Sequence, residues 1–456
     1  MKKRRLLLPV LALILLLAGL AGTVYLRLSH RADTASAPAA ASSQAAGRAS
    51  EGTSGASDAS AAAPTETPLP EPTPEPTPEP TPEPTPEPVA ETLPITAVYR
   101  RKTYPILADG SYAEYASFYR GDHVTVTAEE DIYALYILWE DPPTPWTLSC
   151  GESELLCGEN DFSHEYVRLP EPSKEVTITF NKNADARIAE IYALSDGAMP
   201  DWVQDWQPPW DMADILLFPT HSDDEFVFMG GVIPYSIDKG MRVQVAYLVG
   251  HNKIRRHEML DSLWEAGVRH YPVASRCADV YLHSMADADR YYGINYMTGY
   301  IVEQIRRFRP LVVVGHAEDG DSGHLVHIFG VRCLKGALEV SSVHGQFTES
   351  EEKYGLYDVP KAYLHLYGEE ENMVVLDYET PLAHYHGATA FEVACRAFEK
   401  CVSQFRMGKY HVYGADSEHD THKFGLYRSL VGEDQEKNDL FENLDPSLFA
   451  GRSYDA

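Results

Sequence analysis

The sequence predicts an α/β fold, with helices on both faces of a mostly parallel sheet, preceded by a smaller all-β domain. Three observations carry this. Short, continuously apolar runs at Ile215-Leu216-Leu217-Phe218 and Leu311-Val312-Val313-Val314 have the character of buried parallel strands, with a further strand from Arg242 to Val249 between them. Met259, Leu260, Leu263 and Ala266 recur at helical spacing and place a helix over Arg255 to Gly267. From Ile95 to Ser195 the apolar residues instead alternate with period two.

The 456-residue chain opens on Lys2-Lys3-Arg4-Arg5 and an apolar run from Leu6 to Leu26. A run of about 21 residues is long enough to cross a bilayer as a helix. The basic cluster belongs on the cytoplasmic side, which places the remainder outside. Residues 1–28 therefore read as a transmembrane signal-anchor, with cleavage near Ala18 to Gly22 as the alternative that yields a secreted protein. From Ser29 to Ala63 the chain is mostly Ala, Ser, Gly and Thr, too poor in large apolar residues to fold. Glu-Pro-Thr-Pro then repeats from Glu71 to Pro88. Proline at every second position fixes φ and removes donors, so this stretch is extended polyproline II. At about 3.1 Å per residue, about 24 residues of this Pro-rich region reach on the order of 70 Å. Residues 29–94 are thus expected to be a linker.

Residues 95–200 read as a β-sandwich. His123-Val124-Thr125-Val126-Thr127, Ile132 to Trp139, Glu175 to Phe180 and Arg187 to Leu194 are its clearest strands. Asp109-Gly110, Gly121-Asp122 and Asp141-Pro142-Pro143 supply turns. Residues 201–211 form a connector in which Trp202, Trp206 and Trp210 are expected to act as apolar cement between the domains. Residues 212–456 form the α/β domain. Strand and helix alternate there, which implies a Rossmann-like sheet with its ligands beyond the carboxyl ends of the strands.

Acidic residues outnumber basic ones by 68 to 38, for a net charge of −30. Such a chain repels phosphate backbones, which excludes nucleic acid as a partner and favours an uncharged substrate. Six cysteines in a chain this long are no disulfide scaffold. Cys150 and Cys157, in a loop-like stretch, are the one pair expected to bridge.

The chemistry-bearing residues follow the buried strands. The first strand runs into Thr220-His221-Ser222-Asp223-Asp224-Glu225. His221 and Asp224, three apart across a strand-to-helix turn, can point at one ion, and Asp223 beside them can accept a proton from its water. The third strand runs into Gly315-His316 and a loop that ends Gly323-His324-Leu325-Val326-His327. His324 and His327 face one side of a starting helix; one can bind metal while the other, as imidazolium, stabilises an oxyanion.

From about Asp211 to Arg428 the chain resembles the PIG-L/LmbE-like N-acetylglucosaminyl deacetylase family. His221-Ser222-Asp223-Asp224-Glu225 stands for its His-Pro-Asp-Asp-Glu turn. Arg255, Glu258 and Gly267 match its Arg-x-x-Glu helix, Gly323, His324 and His327 its Gly-His-x-x-His element, and Ser403-Gln404 its late Ser-Gln pair. The resemblance implies Zn2+, or another divalent ion, held by His221, Asp224 and His327. Asp223 is then the general base, His324 the oxyanion stabiliser, and the reaction the hydrolysis of the acetyl amide of N-acetylglucosamine units. The region from Ile95 to Ser195 is similar to the discoidin-like sandwiches found beside surface enzymes, for which the alternatives are a packing or positioning role and contact with cell-wall or capsular polysaccharide. Two departures stand out. Ser222 replaces the family's Pro, and Ser322 stands where some members carry a Tyr that polarises the amide. His316, Tyr247 and Arg255 are candidates to compensate, with Arg255, Ser322 and His316 expected to touch substrate. The competing readings are a surface glycan-binding protein that kept the fold without the turnover, and a metal amidase acting on a non-sugar substrate.

Overall fold

The structure is a computed structural model that describes residues 88–250 and 253–449. The expected anchor at 1–28 and the linker through residue 87 lie outside the described residues. Among the described residues no helix is long and apolar enough to cross a membrane.

The first nine strands are β1 (Thr92–Leu93), β2 (Ile95–Tyr99), β3 (Lys102–Thr103), β4 (Ala116–Phe118), β5 (His123–Trp139), β6 (Trp146–Cys150), β7 (Ser153–Cys157), β8 (His164–Thr179) and β9 (Ala186–Leu194). They form one hydrogen-bonded sheet folded over on itself. β1 lies inside the expected linker; it is ordered there because it pairs antiparallel with the end of β9. The two short strands expected at 123–127 and 132–139 are halves of β5. Its first half pairs with β2 and the end of β8, its second half with β9 and the start of β8. The register slips between Thr127 and Ala134, so the strand bends without leaving the sheet. The two leaves enclose Val124, Val126, Ile137, Trp139, Trp146, Ile178 and Ile188. Cys150 and Cys157 are both free. The expected bridge is absent because the register sets Cys150 opposite Ser153 and Cys157 opposite Trp146, at the two ends of the hairpin.

The α/β portion follows. Its strands are β10 (Ile215–Leu217), β11 (Val243–Tyr247), β12 (Val273–Ala274), β13 (Val312–Gly315), β14 (Lys361–His365), β15 (Met373–Val375) and β16 (Lys423–Ser429). The order is β12-β11-β10-β13-β14-β16-β15. Pairing is parallel from β12 to β14 and antiparallel for β16 with both β14 and β15. The helices are α1 (Asp224–Val227), α2 (Val232–Asp238), α3 (Lys253–Glu265), α4 (Met285–Tyr291), α5 (Ile294–Phe308), α6 (Leu325–Val340), α7 (Thr348–Tyr354), α8 (Ala390–Lys400) and α9 (Val402–Phe405). The strands are apolar on both faces because both faces are covered. Leu217, Val245 and Val314 pack with Met259, Leu263 and Phe398 on one side. Leu216, Ala246 and Val313 pack with Phe308, Phe329 and Leu334 on the other. The chain moves outward from β10 to β12 and then crosses back to place β13 on the other side of β10. A crevice therefore opens between the carboxyl ends of β10 and β13, where the strand order reverses.

The sandwich and the α/β portion belong to one compact unit. Trp206 is buried, with its ring edge-on to Trp264 at 5.3 Å and to Tyr271 at 5.5 Å. Beside it, a chain of polar bonds crosses from strand to helix: Tyr136 to His164 (2.9 Å), His164 to Gln204 (2.8 Å) and His164 to His257 (2.8 Å). Burial holds both His164 and His257 below the usual imidazole range.

Beyond β16, residues 434 to 442 are tied to β14 by a buried ion pair. Lys361 Nζ donates to Asp434 Oδ1 (2.5 Å) and to the Glu442 carbonyl (2.8 Å), and the Tyr363 hydroxyl donates to Asp434 Oδ2 (2.6 Å). Replacing Asp434 by Ala leaves an ammonium buried and uncompensated. The expected loss is about 3–5 kcal/mol of folding stability, read from denaturant unfolding; a change within measurement error would show that this pair does not hold the segment.

Candidate metal centre

The turn after β10 is built to hold a strained residue. Asp223 has φ 132°, a region an L-residue enters only when its surroundings impose it. Its amide donates to Glu225 Oε2 (2.9 Å), and the Tyr247 hydroxyl of β11 donates to Glu225 Oε1 (2.7 Å). Burial pushes Glu225 up to about 8, so this carboxyl adds little charge beside Asp223 and Asp224 at neutral pH. α1 is followed three residues on by Gly230, whose φ is +54° and where a Cβ would lie 2.4 Å from Thr421 Oγ1.

The turn after β13 comes to meet it. The Thr220 amide donates to His316 Nε2 (3.0 Å), which fixes the ring proton on Nδ1, toward Asp321 Oδ2 (2.5 Å). Asp321 also faces His365 Nδ1 and lies 3.7 Å from His327 Nδ1. His324 caps α6 and His327 lies in its first turn.

Three side-chain atoms converge. His221 Nδ1 lies 3.1 Å from Asp224 Oδ2 and 3.1 Å from His327 Nε2, and His327 Nε2 lies 3.1 Å from Asp224 Oδ2. A triangle of that side has a circumradius of about 1.8 Å. This is shorter than the 2.0–2.2 Å typical of zinc bonds to nitrogen and oxygen, so one ion can touch all three from one side. The donor set also fits: imidazole and carboxylate suit zinc and several other divalent ions. His327 Nδ1, buried, has no hydrogen-bond partner, and Asp321 is the carboxylate nearest to receive it when Nε2 is engaged. His221 Nε2 faces Asp279 Oδ1 at 3.5 Å in the same supporting role. His324 also brings a ring nitrogen within 4.8 Å of those of His221 and His327.

The electrostatics separate the two aspartates. Burial opposes ionisation of Asp224, but His327 and His221 outweigh it and hold this carboxyl well below the usual range. Burial, and then the Asp224 charge, push Asp223 up to about 7. Arg255 works against that shift: its Nη2 donates to Asp223 Oδ1 (2.8 Å) and to the Ser222 carbonyl (2.7 Å), and its Nη1 to Asp279 (3.1 Å). Burial and the neighbouring His327 and His221 push His324 down to about 4, which disfavours the imidazolium expected from the sequence. A dication beside it would act in the same direction.

The cleft over these atoms is lined by His221, Asp223, Asp224, Arg255, Ser322, His324 and His327. His316 does not line it; it is buried behind the ligand atoms. Tyr247 is also remote, its hydroxyl spent on Glu225. Tyr410 and Gln404 do line the cleft. Tyr410, half-buried, carried no signal, because it lies in a polar stretch that looks solvated in sequence; His422, in the same stretch, is buried and bonded to Asp420 (2.9 Å). Gln404 is placed by its neighbour: the Ser403 amide and hydroxyl donate to the two carboxylate oxygens of Glu258 (2.8 and 2.6 Å). Glu258 and Arg255 share α3, so one helix sets both Arg255 and Gln404 at the cleft.

No family model matches the chain, and no curated protein matches it. Similar solved structures include N,N'-diacetylchitobiose deacetylase from Pyrococcus horikoshii, at 19% identity over 44% of this chain and 74% of that one, with a TM-score of 0.30. Another is the 4-carboxy-2-hydroxymuconate hydratase of Pseudomonas putida, at 15% identity over 49% of this chain and all of that one, with a TM-score of 0.31. A pectin-binding carbohydrate-binding module is similar at 20% identity over 24% of this chain and 96% of that one, with a TM-score of 0.19. Likenesses this partial carry neither a substrate nor an activity over to this chain.

The triangle makes a direct prediction. The purified chain is expected to hold one divalent ion by elemental analysis, and His327→Ala to lose it. Unchanged metal content in that variant would remove His327 from the ligand set.

Proposed function

We propose that this chain is a divalent-metal-dependent N-deacetylase that hydrolyses the acetyl amide of N-acetylglucosamine-type units in a glycan or glycoconjugate. Zinc is the ion assigned, and the outer face of a membrane the place of action. The observation that carries this reading is the 3.1 Å triangle of His221, Asp224 and His327 with Asp223 beside it. The sugar is taken from the motif resemblance between Asp211 and Arg428, and the location from the apolar run at Leu6 to Leu26.

A divalent ion on the three ligands supplies a Lewis acid for the amide carbonyl and a water with a pKa lowered to about 7. The rest of the chemistry belongs to side chains. Asp223 receives the proton of the attacking water. Arg255 engages its Oδ1, so Oδ2 is the oxygen assigned to that proton. The strained backbone at Asp223 is held by Glu225 and Tyr247, which keeps the carboxylate from swinging onto the ligands. Neutral His324 offers a ring N–H to the developing oxyanion, a dipole in place of a charge. Tyr410 takes the task for which Ser322 is too short, donating its phenol to the amide oxygen. Asp223 then returns its proton to the departing amine, and acetate and a free amino sugar leave.

Acetate release from an N-acetylated sugar panel tests the reading; an amino acid released from peptide substrates instead would favour the non-sugar amidase. Asp223→Asn is expected to lower kcat by about 10²–10⁴ with the metal retained; full activity would remove it as base. Glu258→Gln faces the Ser403 donors with an amide and lets Gln404 drift. The expected fall in kcat/KM is on the order of 10- to 100-fold at unchanged metal content, and wild-type kinetics would show that Gln404 does not hold substrate.

A further inference from the structure

A second cleft, with a cavity of about 420 Å³, lies where the sandwich faces α3. Tyr136 and Tyr192, paired across β5 and β9, form one wall, and Asp261 of α3 the other. Trp202 and Gln204 of the connector also line it. The cavity is of a size common for small-molecule sites, and its walls come from all three parts of the chain.

Two features point to a ligand class. Trp202 is 45% exposed, yet Tyr136 and Tyr192 hold it edge-on at 5.8 and 5.0 Å. An indole kept rigid and open presents a flat apolar face, which suits the C–H face of a pyranose. Next to it, Asp261 is fixed by two donors, Gln204 Nε2 on Oδ1 (2.7 Å) and the Tyr112 hydroxyl on Oδ2 (3.2 Å). Its side chain is 27% exposed, and the imidazole 3.9 Å away, His164, is kept uncharged by burial. Among the described residues no Lys or Arg pairs with Asp261. Lys400, also on the cleft, pairs with Glu265 at 3.6 Å and lies near enough to Asp261 to oppose the burial that pushes this carboxyl up to about 6, so Asp261 is still mostly ionised at neutral pH. A second carboxylate, Asp201, lines the same opening.

We infer that this cleft binds saccharides carrying a free, protonated amine. The ammonium meets a fixed carboxylate and aromatic rings, which favour a cation together. Sulfated, phosphorylated or uronic sugars meet Asp261, Asp201 and a chain of net charge −30, and are repelled. The inference deepens the proposed deacetylase reading, since that reaction turns an N-acetyl sugar into this ligand, and it rests on that reading for the ligand's source. The cleft then retains the part of a glycan already processed, away from the metal ligands.

The test is calorimetric titration of the full chain, carrying Asp223→Asn so that no turnover intervenes, with a glucosamine oligomer and with its fully N-acetylated counterpart. The glucosamine oligomer is expected to bind, more weakly as salt is raised. Its affinity should fall roughly tenfold in Trp202→Ala and in Asp261→Asn, and that of the N-acetylated oligomer should not. Wild-type affinity in both variants, or equal losses for the two oligomers, would overturn the inference. If Asp261→Asn lowers the thermal midpoint, the exposed Trp202→Ala decides alone. Acetate release by the native chain reads the deacetylase proposal separately: binding lost in Trp202→Ala with release present supports both readings, and binding lost in Trp202→Ala with no release by the native chain leaves the cleft standing while the activity fails.

Discussion

Three polar atoms packed into a triangle cannot satisfy one another with protons. Two imidazole nitrogens and one carboxylate oxygen make three edges of 3.1 Å. If both nitrogens are protonated, each serves the carboxylate and the nitrogen–nitrogen edge opposes two donors. If only one is protonated, its single hydrogen serves one edge and leaves another as two facing lone pairs. Asp224 Oδ2 already accepts the His221 backbone amide at 2.7 Å, so it has little capacity left. In a buried site such a deficit costs more than in water. One divalent cation held by His221, Asp224 and His327 would resolve all three edges, and Asp321 and Asp279 stand behind His327 and His221 where a metal-bound imidazole would need an acceptor.

The sheet makes that convergence possible. His221 and His327 are 106 residues apart, and they meet because β10 and β13 pair in parallel, Leu217 beside Val314, and both turns leave from the same end. The Thr220–His316 bond then locks one turn to the other. Helix α3 does a second piece of assembly. Its Arg255 restrains Asp223, and its Glu258 grips Ser403, so elements distant in sequence are placed at one cleft by one rigid rod. The cost of positioning is concentrated at Asp223, where the backbone is held at φ 132° by hydrogen bonds from behind the site.

The sandwich is joined to this assembly by chemistry as well as by apolar packing. Trp206 seals the joint, but a chain of buried polar bonds through His164, Gln204 and His257 runs alongside it. Polar groups buried this way fix orientation, because any slip leaves a donor or acceptor unmatched. That fixed joint is what gives the second cleft a defined shape, with walls drawn from both sides.

By itself the sequence determined the parts whose signals are local. Continuous apolar runs marked β10 and β13, helical spacing marked α3, and the turn directly after β10 was legible as a candidate ligand segment because a parallel sheet sends its strand ends to one edge. Tertiary structure decided what depends on long-range pairing. The long bent β5 looked like two strands, since a register slip is invisible to alternation. The Cys150–Cys157 bridge failed on hairpin register. The charge on His324 was set by burial and by two rings that only folding brings near it, and Tyr410 entered the cleft from a stretch with no pattern of its own. Spacing along a chain encodes which face a residue takes; it does not encode which distant groups will share its dielectric, and that sharing fixes the protonation and partners of every group in the site.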